Sequence, residues 1–523
     1  MSARIHSSIS PSSTLTPQRA TYGETLDKMN PQRLAEAGRR NAGAKNLLVS
    51  ACILAVLVAG CARFQSQPLS PVQSATSFNA RNLADPGLKQ FLEQNLNRPL
   101  ETWPLESWDI PTLTFAAWHF QPSLDVARAQ WLVADAAFAT AGGRPKSPKP
   151  GAYPIPAGTR PNPAVSTVGE YNANAARGKS PWGPGVTFDL PIEAGNKRAQ
   201  RILKAEYASE SARLGVLATA WRIRSEVRTN VLAYAAARHR YELLKEMEAI
   251  QMELVQRGEQ QLAAGAISYL QLSPLRIQLA KTRLTLINEF QRVMGLRSRV
   301  AESVGVPISA LLRVQLDYDF AASPDTPLAG ANARHEALVG RPDVLVALAE
   351  YAAADAALRL EIAKQYPNIH LNPGYQWDQG ENKWALGVAF ELPAFNRNKG
   401  AIAEAEARRE LAATQLIRVQ AGVIAEIDGS LAGYRAAVEQ AANLEKLLAQ
   451  VKTQLKDTET RKEAGAADQL EVLFAKLEMK LAELAIVDAQ EKFHRAFGAA
   501  EDATQPLPES AIHIICAAEQ RAQ

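Results

Sequence analysis

Histidine and cysteine are the residue types best suited to metal or redox chemistry. The 523-residue chain has seven of the first (His6, His119, His239, His335, His370, His494, His513) and three of the second (Cys52, Cys61, Cys516). They do not gather into a local ligand motif, and the six methionines form no cluster. CxxC, HExxH, P-loop, GxGxxG and GxSxG signatures are all missing from the sequence, and no acid/base or nucleophile constellation stands out. An enzyme, a resident metal and a cofactor are therefore not expected, and His370 reads as a solvated strand residue rather than a ligand. Four carboxylates remain of interest by position. Asp189 and Glu391 stand near the ends of two similar strands. Asp468 and Glu471 are three residues apart at a helix start, the spacing of a capping box. The charge balance of +4, spread along the chain, offers no footprint for nucleic acid.

These groups need elements to position them, and the N-terminus is the first to be set aside. Residues 46–60 form a short apolar run after Arg33, Arg39, Arg40 and Lys45. Its apolar core is too short to span a bilayer and has the layout of a secretory signal. It ends in Val58-Ala59-Gly60-Cys61, which resembles a bacterial lipobox, so Cys61 is expected to become an acylated (palmitate-type) mature N-terminus. Ala62, rather than Asp, favours the outer membrane by resemblance to the bacterial sorting rule. Translation from Met1 or from Met29 fits equally.

The rest of the chain is written twice. Gly185 and the run Val186–Pro191 recur as Gly387 and the run Val388–Pro393. Ala264-Gly265-Ala266 recurs as Ala464-Gly465-Ala466, and the Ala-rich helix from Pro122 recurs from Pro342. From Phe188 to Gly265 is 77 residues, and from Phe390 to Gly465 is 75. From the Pro to the same Phe the halves differ, 66 against 48, and the Pro-rich stretch 144–163, of unassigned role, supplies the excess. Helices are predicted over Pro122–Ala141 and Pro342–Gln365. Proline-free runs from Gly195 to about Leu262 and from Asn398 to about Glu463 predict helices of roughly 100 Å each. In the second run the row Leu416, Val419, Val423, Ile427, Leu431, Tyr434, Val438 and onward to Leu455 has coiled-coil spacing. Val227, Val231, Tyr234, Tyr241 and Leu244 continue it in the first. The Ala-Gly-Ala breaks then turn each chain into a second helix, about Ser268–Glu302 and Asp468–Gly498.

Strands are predicted at about 163–172, 184–191, 367–377 and 383–393. Trp384, Leu386, Val388, Phe390 and Leu392 share one parity, while Lys383, Ala385, Gly387, Ala389 and Glu391 take the other. Such strands match a transmembrane β-barrel. Four cannot close one, and a membrane leaves no edge unpaired, so several chains must pool them.

This ordered set of signal, lipobox, GVxF[DE]LP strand ends, Asn396-Arg397-Asn398-Lys399-Gly400 step and twin Ala-Gly-Ala breaks resembles the TolC-type outer-membrane efflux proteins over about 85–500. Arg160-Pro161-Asn162-Pro163 and Gly195-Asn196-Lys197-Arg198 look most like the heavy-metal or cation efflux branch. The resemblance implies a mainly α fold built from duplicated helix–β-hairpin–helix units. It implies a homotrimer whose twelve-stranded barrel in the outer membrane continues as a long periplasmic α-helical barrel. The partners it implies are a periplasmic adaptor and an inner-membrane pump, proton-driven by that branch, with the chain as a passive duct for drugs or metal cations. Two other readings stand beside it: the duct of an ATP-driven type I protein secretion system, and a structural coiled-coil envelope lipoprotein. The sequence does not choose the exported substrate, pump or adaptor. The domains expected are a signal at 1–60, an N-terminal equatorial segment at 61–121, a first repeat at 122–305, an equatorial linker at 306–340, a second repeat at 341–500 and a tail at 501–523. By the same resemblance Glu471, with Asp468 one turn earlier, falls at a periplasmic gate, against the alternative of a plain helix cap. Ala264, Gly265, Ala266 and Ala464, Gly465, Ala466 are adaptor-contact tips or simple turns. Asp189 and Glu391 line the barrel lumen or face solvent at strand ends.

Overall fold

The computed structural model describes residues 66–96, 98–144, 161–175, 177–318, 320, 333–392 and 396–504. The expected signal, Cys61, Pro393, most of the Pro-rich stretch, part of the linker and most of the tail lie outside them. The chain divides into two units, Met1–Gln73 and Ser74–Gln523. Of the first, only residues 66–73 are described, leading into helix α1 (Pro71–Asn79).

After α1, the second unit continues with α2 (Pro86–Leu96), the short strand β1 (Ser107–Trp108), α3 (Ile110–Phe120) and α4 (Pro122–Ala141). Asp109 caps α3 reciprocally: Thr112 N donates to Asp109 Oδ1 at 2.9 Å, and Asp109 N donates to Thr112 Oγ1 at 3.2 Å. Proline at the start of α3 and α4 costs no hydrogen bond, because those amides have no partner in any helix. Then come β2 (Ala164–Tyr171), β3 (Trp182–Ile192), the 67-residue α5 (Lys197–Ala263) and α6 (Tyr269–Val304). A connecting stretch holds α7 (Ile308–Leu311), β4 (Gln315–Leu316) and α8 (Ala333–Gly340). The order then repeats as α9 (Pro342–Ala363), β5 (Ile369–Asp378), β6 (Glu381–Phe390), the 65-residue α10 (Lys399–Glu463) and α11 (Gln469–Thr504).

Both long helices start from an asparagine in the left-handed region, Asn196 at φ 61° and Asn398 at φ 57°. Asparagine tolerates that conformation better than most residues, which lets a strand turn directly into a helix. The main core gathers around α2, α3, α4, the middle of α5 and the end of α6, with Trp108, Leu88, Leu92, Leu113, Leu124 and Ile223 fully buried. The indole of Trp118 donates to the carbonyl of Ala220 at 3.1 Å across this core. Gly305 ends α6 at φ 82° so close to the α3–α4 joint that a Cβ there would lie 2.8 Å from Gln121 Cα. Arg81 ties the same joint, donating to the carbonyls of Phe120 and Gly305. β1 pairs in parallel with β4, so the 61–121 and 306–340 segments meet.

Three expectations need correction. α9 stops at Ala363, two residues before Gln365, and α11 runs on to Thr504, past both Gly498 and the boundary at 500. β6 ends at Phe390, so Glu391 follows the strand rather than belonging to it. The cause of the last is sheet position. β3 lies between β2 and β5, and its Leu190–Ile192 end is held by Ile369–Leu371, whereas β6 is an edge.

Candidate functional site

The four strands form one antiparallel sheet in the order β2-β3-β5-β6. Directly paired residues of antiparallel strands share a face. Val165↔Phe188, Tyr171↔Trp182, Val186↔Tyr375, Leu190↔Leu371, Ile369↔Phe390, Leu371↔Val388 and Tyr375↔Trp384 put the apolar residues together. This face is bare: Trp384 is 80% and Leu386 73% exposed. Its turn end carries two cross-strand Tyr–Trp pairs, Tyr171–Trp182 and Tyr375–Trp384, with ring centroids 5.0 and 4.9 Å apart. Sequence reasoning missed this repeated pair, although laying the second hairpin over the first would have found it. The opposite face is polar and cross-linked. Gln376 donates to Glu170 at 2.7 Å, Lys383 pairs with Asp378 at 2.7 Å, and His370 Nδ1 lies 2.9 Å from Asp189 Oδ1. Asp189 therefore sits on the polar face, as its parity predicts. Glu391 opens with His370 onto a cavity of about 380 Å³, also lined by Lys197, Lys364 and Asn398. Burial pushes the Lys197 ammonium below its ordinary range, and the nearby carboxylates of Glu193 and Glu391 oppose that shift.

The far ends of the helical hairpins are built alike. Gly265 and Gly465 adopt φ 72° and 73°, and nothing lies within 4 Å of where their Cβ would be. Gly265 N donates to Leu262 O at 3.0 Å and Ala266 N to Gln261 O at 2.8 Å; Gly465 and Ala466 repeat these bonds to Lys462 and Arg461 at 2.9 and 2.8 Å. Glycine is required there for its backbone conformation, and Ala264 and Ala464 complete the same turn. After the first turn, Ser268 N donates to Gln271 Oε1 at 2.8 Å and Ser268 Oγ at 3.1 Å. After the second, Glu471 N donates to Asp468 Oδ1 at 2.8 Å, and the Glu471 carboxylate lies 3.6 Å from Arg461. Asp468 thus caps α11, while the half-exposed side chain of Glu471 faces a flanking arginine.

Between sheet and tips, α5 is bound to its neighbours by charge. Arg240, 9% exposed, bonds Glu289 of α6 at 3.0 Å and Asp488 and Glu491 of α11 at 2.6 and 2.8 Å. Burial alone would lower its pKa; the three carboxylates outweigh that and raise it. Arg224 and Arg228 similarly hold Glu501 and Asp502. Sequence reasoning missed Arg240. The stretch from Val227 to Leu244 also carries Arg228, Arg238 and Glu242, so nothing in the sequence singled Arg240 out.

Among the described residues no cluster of three His, Cys, Asp or Glu gathers to hold a metal, and no helix is long and apolar enough to cross a membrane. A bare apolar sheet face, a polar reverse face and long paired helices are features of an envelope channel rather than of an enzyme. The family described as "Outer membrane efflux protein" matches residues 157–294 and 333–499, more than half of the chain, and the chain belongs to that family. It is a family of efflux channels, not of enzymes. The chain is similar to the cobalt-zinc-cadmium resistance protein CzcC of Cupriavidus metallidurans, 26% identical over 242 residues that cover 46% of this chain and 56% of that protein. It is also similar to the probable outer membrane lipoprotein SilC of Salmonella typhimurium, 24% identical over 304 residues covering 54% and 62% of the two chains. The chain thus spans little more than half the length of these curated relatives. The crystal structure of CusC, described in terms of transmembrane channel formation, shares the fold with a TM-score of 0.59 at 17% identity, over 76% of this chain and 92% of that one.

Proposed function

We propose that the protein is the outer-membrane duct of a tripartite efflux system, a passive homotrimer that exports small solutes, metal cations foremost. The observation that carries this is the sheet: one face apolar and bare, the other polar, and both edge strands, β2 and β6, without an outer partner among the described residues. A membrane accepts neither open edges nor a polar face turned to lipid. Three copies joined edge to edge make a closed twelve-stranded barrel with Asp189 on its lumen face and Glu391 at its base. The α5–α6 and α10–α11 hairpins continue it as a periplasmic α-barrel. The 61–121 and 306–340 segments form the band around it, which the β1–β4 pairing supports. Cys61 adds a lipid anchor at the outer membrane. The Ala264–Ala266 and Ala464–Ala466 turns meet a periplasmic adaptor, and a proton-driven inner-membrane pump supplies the energy. Glu471, placed by its Asp468 cap, stands three times around the axis at the closed end, where like charges in a narrow ring attract cations. The metal preference follows the name of CzcC.

The test is the mass of the purified protein in detergent, together with its conductance in planar bilayers. A trimer that conducts, with cations preferred, is expected. A stable monomer, or a trimer that passes no current, overturns the reading.

A further inference from the structure

We propose that His370 and Asp189 form a weak site for a divalent transition-metal cation on the polar face of the sheet, with His370 Nε2 as the ligating atom and Asp189 orienting it. The pair joins the two halves of the chain. Asp189 lies near the end of β3 and His370 near the start of β5, where Pro191 stands opposite it and brings Asp189 diagonally beside it. His370 Nδ1 lies 2.9 Å from one carboxylate oxygen of Asp189 and 3.2 Å from the other. A carboxylate only accepts, so the neutral ring carries its proton on Nδ1 and its lone pair on Nε2. Histidines that bind metals are held in this way: a carboxylate takes the other N–H, fixes the tautomer and makes the free nitrogen more basic. Nε2 itself has no hydrogen-bond partner among the described residues.

The pair is accessible to an ion from solvent. Both side chains are open to solvent, 37% and 42% exposed. Glu391 lines the same cavity as His370 and is the one carboxylate of that wall, Asp189 lying outside it. Two lysines also line it: Lys364 is paired with Glu361 at 2.6 Å, whereas Lys197, bonded to the neutral Asn368 side-chain oxygen at 2.7 Å, keeps its charge and weakens any cation held there. An imidazole nitrogen beside carboxylate oxygen suits Zn²⁺, Co²⁺, Ni²⁺ or Cu²⁺, whereas Mg²⁺ and Ca²⁺ prefer all-oxygen shells. With so few protein ligands, water completes the shell and the ion is held loosely. Loose holding is what a conduction path needs, since an ion must leave as readily as it enters. This inference deepens the duct reading and rests on it for the passage of the ion; the pair itself belongs to one chain's sheet.

The experiment is equilibrium dialysis of the full-length, untagged protein in detergent against Zn²⁺ alone and Zn²⁺ with excess Mg²⁺. The wild type is compared with His370→Gln, Asp189→Asn and, as a control on a remote exposed helix surface, Glu242→Gln. The wild type is expected to bind one more Zn²⁺ per chain than His370→Gln, with Mg²⁺ failing to displace it. Asp189→Asn keeps the shape and stays informative if His370→Gln does not fold; it should weaken binding by about tenfold or more. Equal Zn²⁺ binding by wild type and Asp189→Asn, or by wild type and a folded His370→Gln, overturns the proposal. Bilayer recordings separate this from the duct reading. A wild type that conducts nothing defeats the duct but leaves the dialysis result to decide the site. Zn²⁺ that reduces wild-type current and spares His370→Gln supports both.

Discussion

The two long hairpins share their order, their length and their tip turns, yet they live in different surroundings. α5 buries 20 of its residues within the chain, among them Ile223, Val227, Val231 and Leu254. α10, two residues shorter, buries five, and Leu411, Ile417, Val438 and Leu447 stay exposed along it. The tips differ in chemistry, not geometry. Ser268 and Gln271 make a neutral cap at the first, and Asp468 and Glu471 an acidic one beside Arg461 at the second. One half holds the chain together. The other leaves more of its apolar surface exposed among the described residues.

Arg240→Ala should break this division most severely. It leaves Glu491 with the half-exposed Arg495 alone and Glu289 with Arg292 at 3.9 Å, and removing one partner of a buried ion network costs about 3–5 kcal/mol. Chemical denaturation in detergent should show a large loss, while Arg435→Ala on exposed α10 shows almost none. Next comes a matched pair. Ile223→Ala leaves a hole in a closed core and should cost about 2–5 kcal/mol. Ile417→Ala, 64% exposed, should change the stability of the dissociated chain by less than about 0.5 kcal/mol. Equal losses from both would erase the contrast between the long helices. At the tips, Ser268→Ala and Asp468→Ala each remove a cap and should cost about 1 kcal/mol of local helix stability, read by hydrogen exchange in the following turn. The smallest effect on stability belongs to Glu471→Ala, within about 0.5 kcal/mol, and it sharpens the comparison through current instead. Conductance should rise, and cation preference and divalent block should weaken, whereas Gln271→Ala at the matching place leaves them alone. If Glu471→Ala leaves all three unchanged, that carboxylate is only a helix-start residue.

Much of this was legible in the sequence because it is local. The period-two alternation marks all four strands, and the Asn-Lys steps and Ala-Gly-Ala turns mark both ends of the long helices to within a residue or two. Of the row from Leu416 to Leu455, the part up to Leu431 packs with Ala337, Val344 and Ala503, and Tyr434 meets Phe493 and Phe497 of α11, although only Val423 and Ile427 in the row are buried. What stayed hidden depends on distant pairing. The two-residue strands 107–108 and 315–316 carry no pattern of their own and exist because each finds the other. The end of β6 depends on its being an edge, which parity does not reveal. Arg240 and Glu491 are 251 residues apart, so the charge was visible while its partners were not. Asp189 and His370 were each noticed singly, and only the β3–β5 register brings them side by side.

The packing of α10 also has a mechanical side. Its firmest hold on the chain is at Val423 and Ile427, which pack with Ala337, Val344 and Ala503. Beyond Ala437 no residue of it is buried in the chain. From Ile427 to the turn at Gly465 is about 55 Å of unbroken helix at 1.5 Å per residue. Such a rod is a lever whose longer arm runs from Ile427 to the tip. A tilt of about 5° at Ile427 carries the far turn sideways by about 5 Å over that length, with every intrahelical hydrogen bond kept. Displacement at the tip therefore asks nothing of the tip itself. It can be set far away, by a small repacking of Ala337, Val344 and Ala503 against the fulcrum.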